Sequence, residues 1–289
     1  MKADRRGEIA RATLLPVFSP KVLLEQAAEG NAGKLMAGRR ALEQYGLICE
    51  KASMHDVFER AYSVLLESYP AEYLLLNESL GQWLREAGSG QKVAVYREFP
   101  VGNCKADMAI FLADQSVGFE AKSRYDRLDR LKDQLRAYQK VFTRSYVVTD
   151  DTLVSSVLNE SPREVGVWSV SSVGIREIRP AKEAADLICQ IQLFRLLRKP
   201  EYLDLIRTEF GASPTLPNTQ IYRACLKLFQ KIEPARAQSL VSDLLVRRQC
   251  RPLPANDLAW QIPRSLRLLA FAGNFTQSEL EVVCRVLNG

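Results

Sequence analysis

Histidine is almost missing from this chain. Among 289 residues there is one, His55, and the six cysteines (Cys49, Cys104, Cys189, Cys225, Cys250 and Cys284) include no CxxC pair. A structural zinc site draws four ligands from Cys and His at short spacings, so that class drops out. A Ser-His or Cys-His mechanism would have to use His55 as its base, and His55 reads as an incidental polar residue at a helix start. No run reaches the roughly eighteen apolar residues of a membrane span. The opening "MKADRRGEIARATLL" lacks the apolar core and small-residue cleavage site of a secretory signal. These absences point to a cytoplasmic chain with no membrane partner, whose cysteines are reduced, half-buried fillers. For an enzyme they leave carboxylates, lysine and a hard metal.

What is present is ordinary in amount. Apolar residues make up 47% and charged residues 26%, enough for a real core in a globular chain. The net charge of +6 suits an anionic partner without requiring one. The length fits one large domain or two smaller ones.

Residues 1–69 read as a helical region, clearest in "MHDVFERAYSVLLESYP", where Val57, Phe58, Ala61, Val64 and Leu65 share a face. "AEYLLLNESLGQWLREAG" follows as another helix that Gly88 closes. The period then changes. "KVAVYREFPV", "KADMAIFLA" and "SVGFEA" are three short strands, the last two separated by a turn at Asp114 and Gln115. A helix over 126–142 presents Leu128, Leu131, Leu135, Tyr138 and Phe142 as an apolar stripe. "RSYVVTD" and "VGVWSVS" are two further strands, so residues 70–180 form an α/β core in the order helix, three strands, helix, strand, strand. From 181 to 289 the pattern is helical again, through "AKEAADLICQIQLFRLLR", "PEYLDLIRTEFG", "NTQIYRACLKLFQKI", "PARAQSLVSDLLVRR" and "TQSELEVVCRVLN", the last with a capping box from Thr276 to Glu279. That region offers a surface for a protein partner.

The third strand carries the oddity. In "SVGFEAKSRYDRLDRLKDQLRAYQKVF" an apolar strand ends on Glu120 and Lys122, which the period of two puts on one face. Asp107, in the strand before, lies within reach of them. Two carboxylates can hold a divalent cation such as Mg²⁺ between hard oxygens, with Lys122 beside it to orient water or stabilise charge on a phosphate.

"ADMAIF", "GFEAK" and "QLRAY", in that order on alternating elements, resemble the PD-(D/E)XK nuclease superfamily, and the Gln-x-x-x-Tyr element is similar to that of RecB-type nucleases. "EYLLLN", "REFPVGNCKADMAIF" and "SYVVTDD" narrow the resemblance to an uncharacterised bacterial branch, phage- or mobile-element-associated, over roughly residues 70–180. The resemblance implies a restriction-endonuclease-like core and metal-dependent hydrolysis of phosphodiesters, DNA more than RNA. In it Asp107 and Glu120 match the metal-binding acids, Lys122 the catalytic lysine, and Gln134 the glutamine that positions metal, water or a DNA end. A further acid on the preceding helix is expected; Glu72 is preferred, with Glu78 and then Glu98 as rivals. Mg²⁺ or Mn²⁺ is the implied cofactor, and Arg124, Arg127 and Lys122 the implied nucleic-acid contacts. One departure stands out: Ala106 precedes Asp107 where the superfamily name has proline.

Each residue also has a plainer reading. Charge at a strand end is common, Lys122 can pair with Glu120 or Asp126, and Asp126 with Arg130 is an i,i+4 ion pair worth only about 0.3–0.5 kcal/mol. Tyr138 reads as core. Arg136, Arg247, Arg248 and Arg251 read as solvated charge, and Trp83, Trp168 and Trp260 as core anchors. The alternative for the whole chain is a non-catalytic nucleic-acid- or protein-binding module on a nuclease-like fold, in a phage or defence context.

Overall fold

The computed structural model describes residues 10–86, 92–113, 115–249, 251–252, 261–273 and 275–288. Gly88, Asp114, Cys250 and Trp260, singled out above, lie outside them, as does the side chain of Arg251. The chain is mixed α/β, with helices on both faces of one sheet.

Helices α1 (Pro20–Glu29), α2 (Gly33–Gln44), α3 (Met54–Ser68) and α4 (Glu72–Glu86) come first. Ser53 and Asp56 close a capping box on α3, satisfying donors that a helix start leaves open. Strands β1 (Lys92–Val101), β2 (Cys104–Phe111) and β3 (Ser116–Lys122) then run as an antiparallel meander. Gly102 takes φ +60° in the two-residue Gly102–Asn103 turn, where a side chain would be strained. Helix α5 (Leu131–Tyr138) crosses to β4 (Arg144–Asp150), parallel to β3; α6 (Val154–Glu160) crosses to β5 (Gly166–Ser171), parallel to β4; β6 (Gly174–Arg179) turns back antiparallel. The sheet order is β6-β5-β4-β3-β2-β1, with β7 (Arg251–Pro252) on the outer edge of β1.

The two faces carry separate cores. On one, Met108, Ile110, Val117, Phe119, Tyr146 and Trp168 pack with α1–α4 and with α11 (Arg267–Ala272) and α12 (Gln277–Asn288). On the other, Ala109, Phe111, Val147 and Val167 pack with α5 and with α7 (Gln190–Arg195), α8 (Lys199–Phe210), α9 (Asn218–Phe229) and α10 (Pro234–Gln249). Both faces are covered, so β3 and β4 are buried nearly throughout, as sheets sandwiched between helices are. Helices from both ends of the chain therefore complete the sandwich around the 70–180 segment.

Three expectations change. The helix expected over 126–142 is regular only from Leu131 to Tyr138, because Asp126 turns back to accept the Ser123 N–H and Oγ–H, each at 2.7 Å. The Asp126–Arg130 ion pair is accordingly absent. The stretch 181–198 forms one short turn and the six-residue α7 rather than one helix. Helix α6 and strand β6 were not anticipated; β6 is half-exposed and carries little apolar signal. No helix among the described residues is long and apolar enough to cross a membrane. Cys49, Cys104, Cys189, Cys225 and Cys284 are free thiols.

Candidate active site where the β2–β3 ladder ends

Cross-strand pairing between β2 and β3 stops at Met108 opposite Phe119. One step further the same register brings Asp107 opposite Glu120, without a backbone bridge. The Asp107 side chain fills the gap: its Oδ2 accepts the Ala121 N–H at 2.8 Å. Val117 and Phe119 point into one core, and the alternation sends Gly118, Glu120 and Lys122 to the other face, towards α5. Gly118 must stay small there, since a Cβ would lie 2.3 Å from the Phe142 ring.

Glu120 is 1% exposed and both of its oxygens are engaged. Oε1 accepts Lys122 Nζ at 2.6 Å, and Oε2 accepts a short hydrogen bond from the Tyr138 hydroxyl. The same hydroxyl lies 2.7 Å from the Lys105 carbonyl. Burial, followed by the charge of Glu120, raises the Tyr138 pKa well above the usual phenol range, so it stays a donor. Asp107 is pushed up to about 7, first by burial and then by Glu120; the Ala121 N–H and Lys122 work in the other direction. Two carboxylates this close, with one half-protonated at neutral pH, make a site short of positive charge. Beside them Thr149, in register with Lys122, is buried with no hydrogen-bond partner for its Oγ1.

The remaining expected residues sit as follows. Glu72, on the first turn of α4, has a half-exposed side chain 3.8 Å from Arg97. Its pKa is raised by partial burial, against the pull of Arg97, with Glu120, Asp126 and Glu98 adding to the rise. Its charge also raises Asp107, but Glu72 is not gathered with Asp107 and Glu120 around one point. Glu78 is removed as a rival: it is buried against the Tyr62 hydroxyl at 2.9 Å and Arg264 Nη2 at 2.6 Å. Glu98 is removed as well. It lies opposite Asp107 in the β1–β2 register, but the ladder skips it, its φ is +46°, and its carboxylate pairs with Lys105 at 2.8 Å. Left-handed backbone at a non-glycine residue costs roughly 1 kcal/mol and here swings the acid out of the row.

Gln134 makes no hydrogen bond to Asp107, Glu120 or Lys122. It is half-buried in the wall of a cavity next to them. Four residues separate Gln134 from Tyr138, about 6 Å along the helix axis, and it is the tyrosine that lies over Glu120. The apolar stripe concealed this, since ring burial and hydroxyl contact share one side chain. Arg124 and Arg127 stand on the loop directly after β3. Arg124 lies 3.5 Å from Asp150, and exposed Arg127 pairs with Asp129 at 2.7 Å. Asp150, missed in the sequence, holds that loop by accepting the N–H groups of Arg124 at 2.9 Å and Thr152 at 3.0 Å. Its signal was an acid at the C-terminal end of a parallel strand, where sites of this class collect. Arg247 and Arg248 pair with Asp243 and Glu201. Exposed His55 has no part in the site.

Among the described residues no three Cys, His or acidic side chains are already gathered around one point. The donor set still fits a hard divalent cation. Asp107 and Glu120 are adjacent carboxylates with a single ammonium, Lys122 on Glu120, between them, and Mg²⁺ is often held by one or two carboxylates with the rest supplied by water and phosphate.

One solved structure, a protein of unknown function from Silicibacter pomeroyi, overlaps 37% of this chain and 70% of its own at a TM-score of 0.29 and 20% identity. Protein cII of Enterobacteria phage P4 is 31% identical over 157 residues, which are 52% of this chain and 57% of the phage protein. The chain thus spans little more than half of that relative's length. The family model described as bacteriophage P4 protein cII matches residues 71–251, from α4 through the whole sheet to β7, and the chain belongs to that family.

Proposed function

We propose that the chain is a metal-dependent nuclease with a restriction-endonuclease-like core of the PD-(D/E)XK type, acting on DNA. The observation that carries this reading is the convergence of Asp107, Glu120, Lys122 and Tyr138 at one end of the β2–β3 ladder, in the order the resemblance requires. The succession of a helix, an antiparallel meander, a crossover helix and a parallel strand supports it.

Asp107 and Glu120 would hold Mg²⁺ or Mn²⁺, with Glu72 as the third acid from α4. The bound cation supplies Lewis-acid polarisation of the phosphodiester and a water of lowered pKa. The protein's own groups do the positioning. Tyr138 fixes one Glu120 oxygen, Lys122 sits on the other and presents an ammonium to developing phosphate charge, and the Ala121 N–H orients Asp107. Arg124 and Arg127 add charge on the loop above. Lys122→Ala should lower cleavage of supercoiled, linear or single-stranded DNA at least about a hundredfold in Mg²⁺, the usual scale for losing one transition-state donor. Equal cleavage by the variant, or none by wild type on any substrate, would sink the proposal.

One observation favours a second reading. Both Glu120 oxygens are already occupied by protein donors, as they would be in a non-catalytic phage-family module whose buried pair serves only the fold. Calorimetry with Mn²⁺ separates the two: binding by wild type that Asp107→Ala abolishes supports the nuclease, and no binding by wild type supports the module.

A further inference from the structure

A cavity of about 680 Å³ opens between the Gly102 turn, α5 and α7. Its size falls in the range of roughly 300–1,000 Å³ typical of small-molecule sites. The lining is strongly cationic: Lys105, Arg130, Lys140 and Arg195, with Asp133 as the only acid. Lys105 is neutralised by Glu98, and Asp133 lies 3.7 Å from Arg136. Arg130, Lys140 and Arg195 have no acidic partner among the described residues, which leaves three uncompensated positive charges. They come from two separate parts of the chain, the α5 segment and α7, so the clustering is made by the fold and not by a run of basic sequence.

The cavity also holds a buried orphan. Gln192 Oε1, on α7, has no hydrogen-bond donor, and it lies 3.5 Å from where a Cβ on Gly102 would stand. A buried unpaired acceptor is costly, and a ligand with an N–H or O–H would satisfy it. The cations ask for negative charge and Gln192 asks for a donor. Inorganic phosphate, a mixture of mono- and dianion near neutral pH, meets the first demand, and its P–OH meets the second only from the position the cations fix. A nucleotide meets both, through its phosphate and through a sugar hydroxyl or base amino group.

The cavity adjoins the candidate active site. The Lys105 carbonyl in its wall shares the Tyr138 hydroxyl with Glu120, and the charge of Glu120 reaches the neighbouring Cys104 thiol. A terminal phosphate monoester carries about −1.5 to −2 charge at neutral pH, better matched to three cations than the single charge of an internal diester. We propose that this cavity binds the phosphate-bearing terminal nucleotide of a nucleic-acid strand, with Arg130, Lys140 and Arg195 on the phosphate and Gln192 on the nucleoside. The assignment of a strand end deepens the nuclease reading and rests on it; the assignment of a nucleotide phosphate does not.

The test uses the full chain in EDTA, so that binding is read without cleavage. Probes are an internally labelled single-stranded oligonucleotide carrying a terminal phosphate, its unphosphorylated twin, dAMP and inorganic phosphate. Wild type should prefer the phosphorylated strand by at least about tenfold, the scale of one charged hydrogen bond. Lys140→Glu combined with Arg195→Glu, both at exposed positions, should erase that preference. Gln192→Leu should weaken dAMP while leaving inorganic phosphate unchanged. If dAMP binds as tightly as the phosphorylated strand, the occupant is a free nucleotide and the cavity assignment stands. Equal binding of the two strands without competition by dAMP overturns it, as does a double variant that keeps the preference. Strand-end preference is read in EDTA and cleavage in Mg²⁺, so loss of the nuclease reading and loss of the cavity are seen separately.

Discussion

Raising the pH from about 5 to about 8 should weaken the fold through one side chain, Asp107. Its carboxyl is pushed from 3.8 to about 7, chiefly by burial and next by the charge of Glu120. Between those two values the folded chain keeps a proton that the unfolded chain has released. The folded state then binds more protons than the unfolded state, so stability falls as pH rises through that window. For the step from about pH 5 to about pH 8 the linkage amounts to on the order of 2–3 kcal/mol. Asp107→Asn keeps the shape and an oxygen to accept the Ala121 N–H, but it cannot ionise. Urea unfolding in EDTA at both pH values should therefore show wild type losing that much more than the variant. Adding Mn²⁺ at the higher pH should restore stability to wild type alone, because a cation compensates the charge that burial penalises. Identical pH slopes for the two proteins would refute the assignment of a raised acid at Asp107.

Other perturbations read the neighbouring contacts. Tyr138→Phe deletes the donor to buried Glu120 and should cost about 1.5–3 kcal/mol by denaturant unfolding, the scale of a hydrogen bond to a charged group; a change within about 0.5 kcal/mol would mean the contact is idle. Gly118→Ala sets a methyl 2.3 Å from the Phe142 ring and should cost about 1–3 kcal/mol, partly recovered by adding Phe142→Leu. Asp150→Ala leaves the Arg124 and Thr152 N–H groups without their carboxylate, so amide exchange should accelerate at both while the strand amides of β4 stay protected.

The strands were legible because they are rich in β-formers and, for β3, β4 and β5, buried on both faces: β1, β3, β4 and β5 fall on the stretches their patterns mark. Glu120 and Lys122 were legible for the opposite reason, as charges in a place that core packing does not explain. What stayed hidden depends on contacts remote in sequence. Tyr138 sits within an apolar stripe, so its period announces a core ring while its hydroxyl reaches an acid 18 residues earlier. Glu78 lies on the same helix as Glu72, and only the packing of Arg264, 186 residues later, shows that it is already paired. Asp150 is invisible as a loop anchor until β3 and β4 lie side by side.

The register explains why the site has the form it does. Glu98, Asp107 and Glu120 occupy one row across three adjacent strands, where Cβ atoms in neighbouring strands stand roughly 4.5–5.5 Å apart and like charges repel. Three carboxylates could not all ionise there unaided, and the chain relieves each one differently. Glu98 leaves the row through a left-handed backbone and is neutralised by Lys105. Glu120 is held by Lys122 and Tyr138. Asp107 receives only one backbone N–H and remains half-protonated near neutral pH. The shortage of positive charge is thus concentrated on a single carboxylate beside an occupied one. A cation arriving at Asp107 displaces a proton and not a protein partner, which makes Asp107 the acid whose removal should matter most for metal binding.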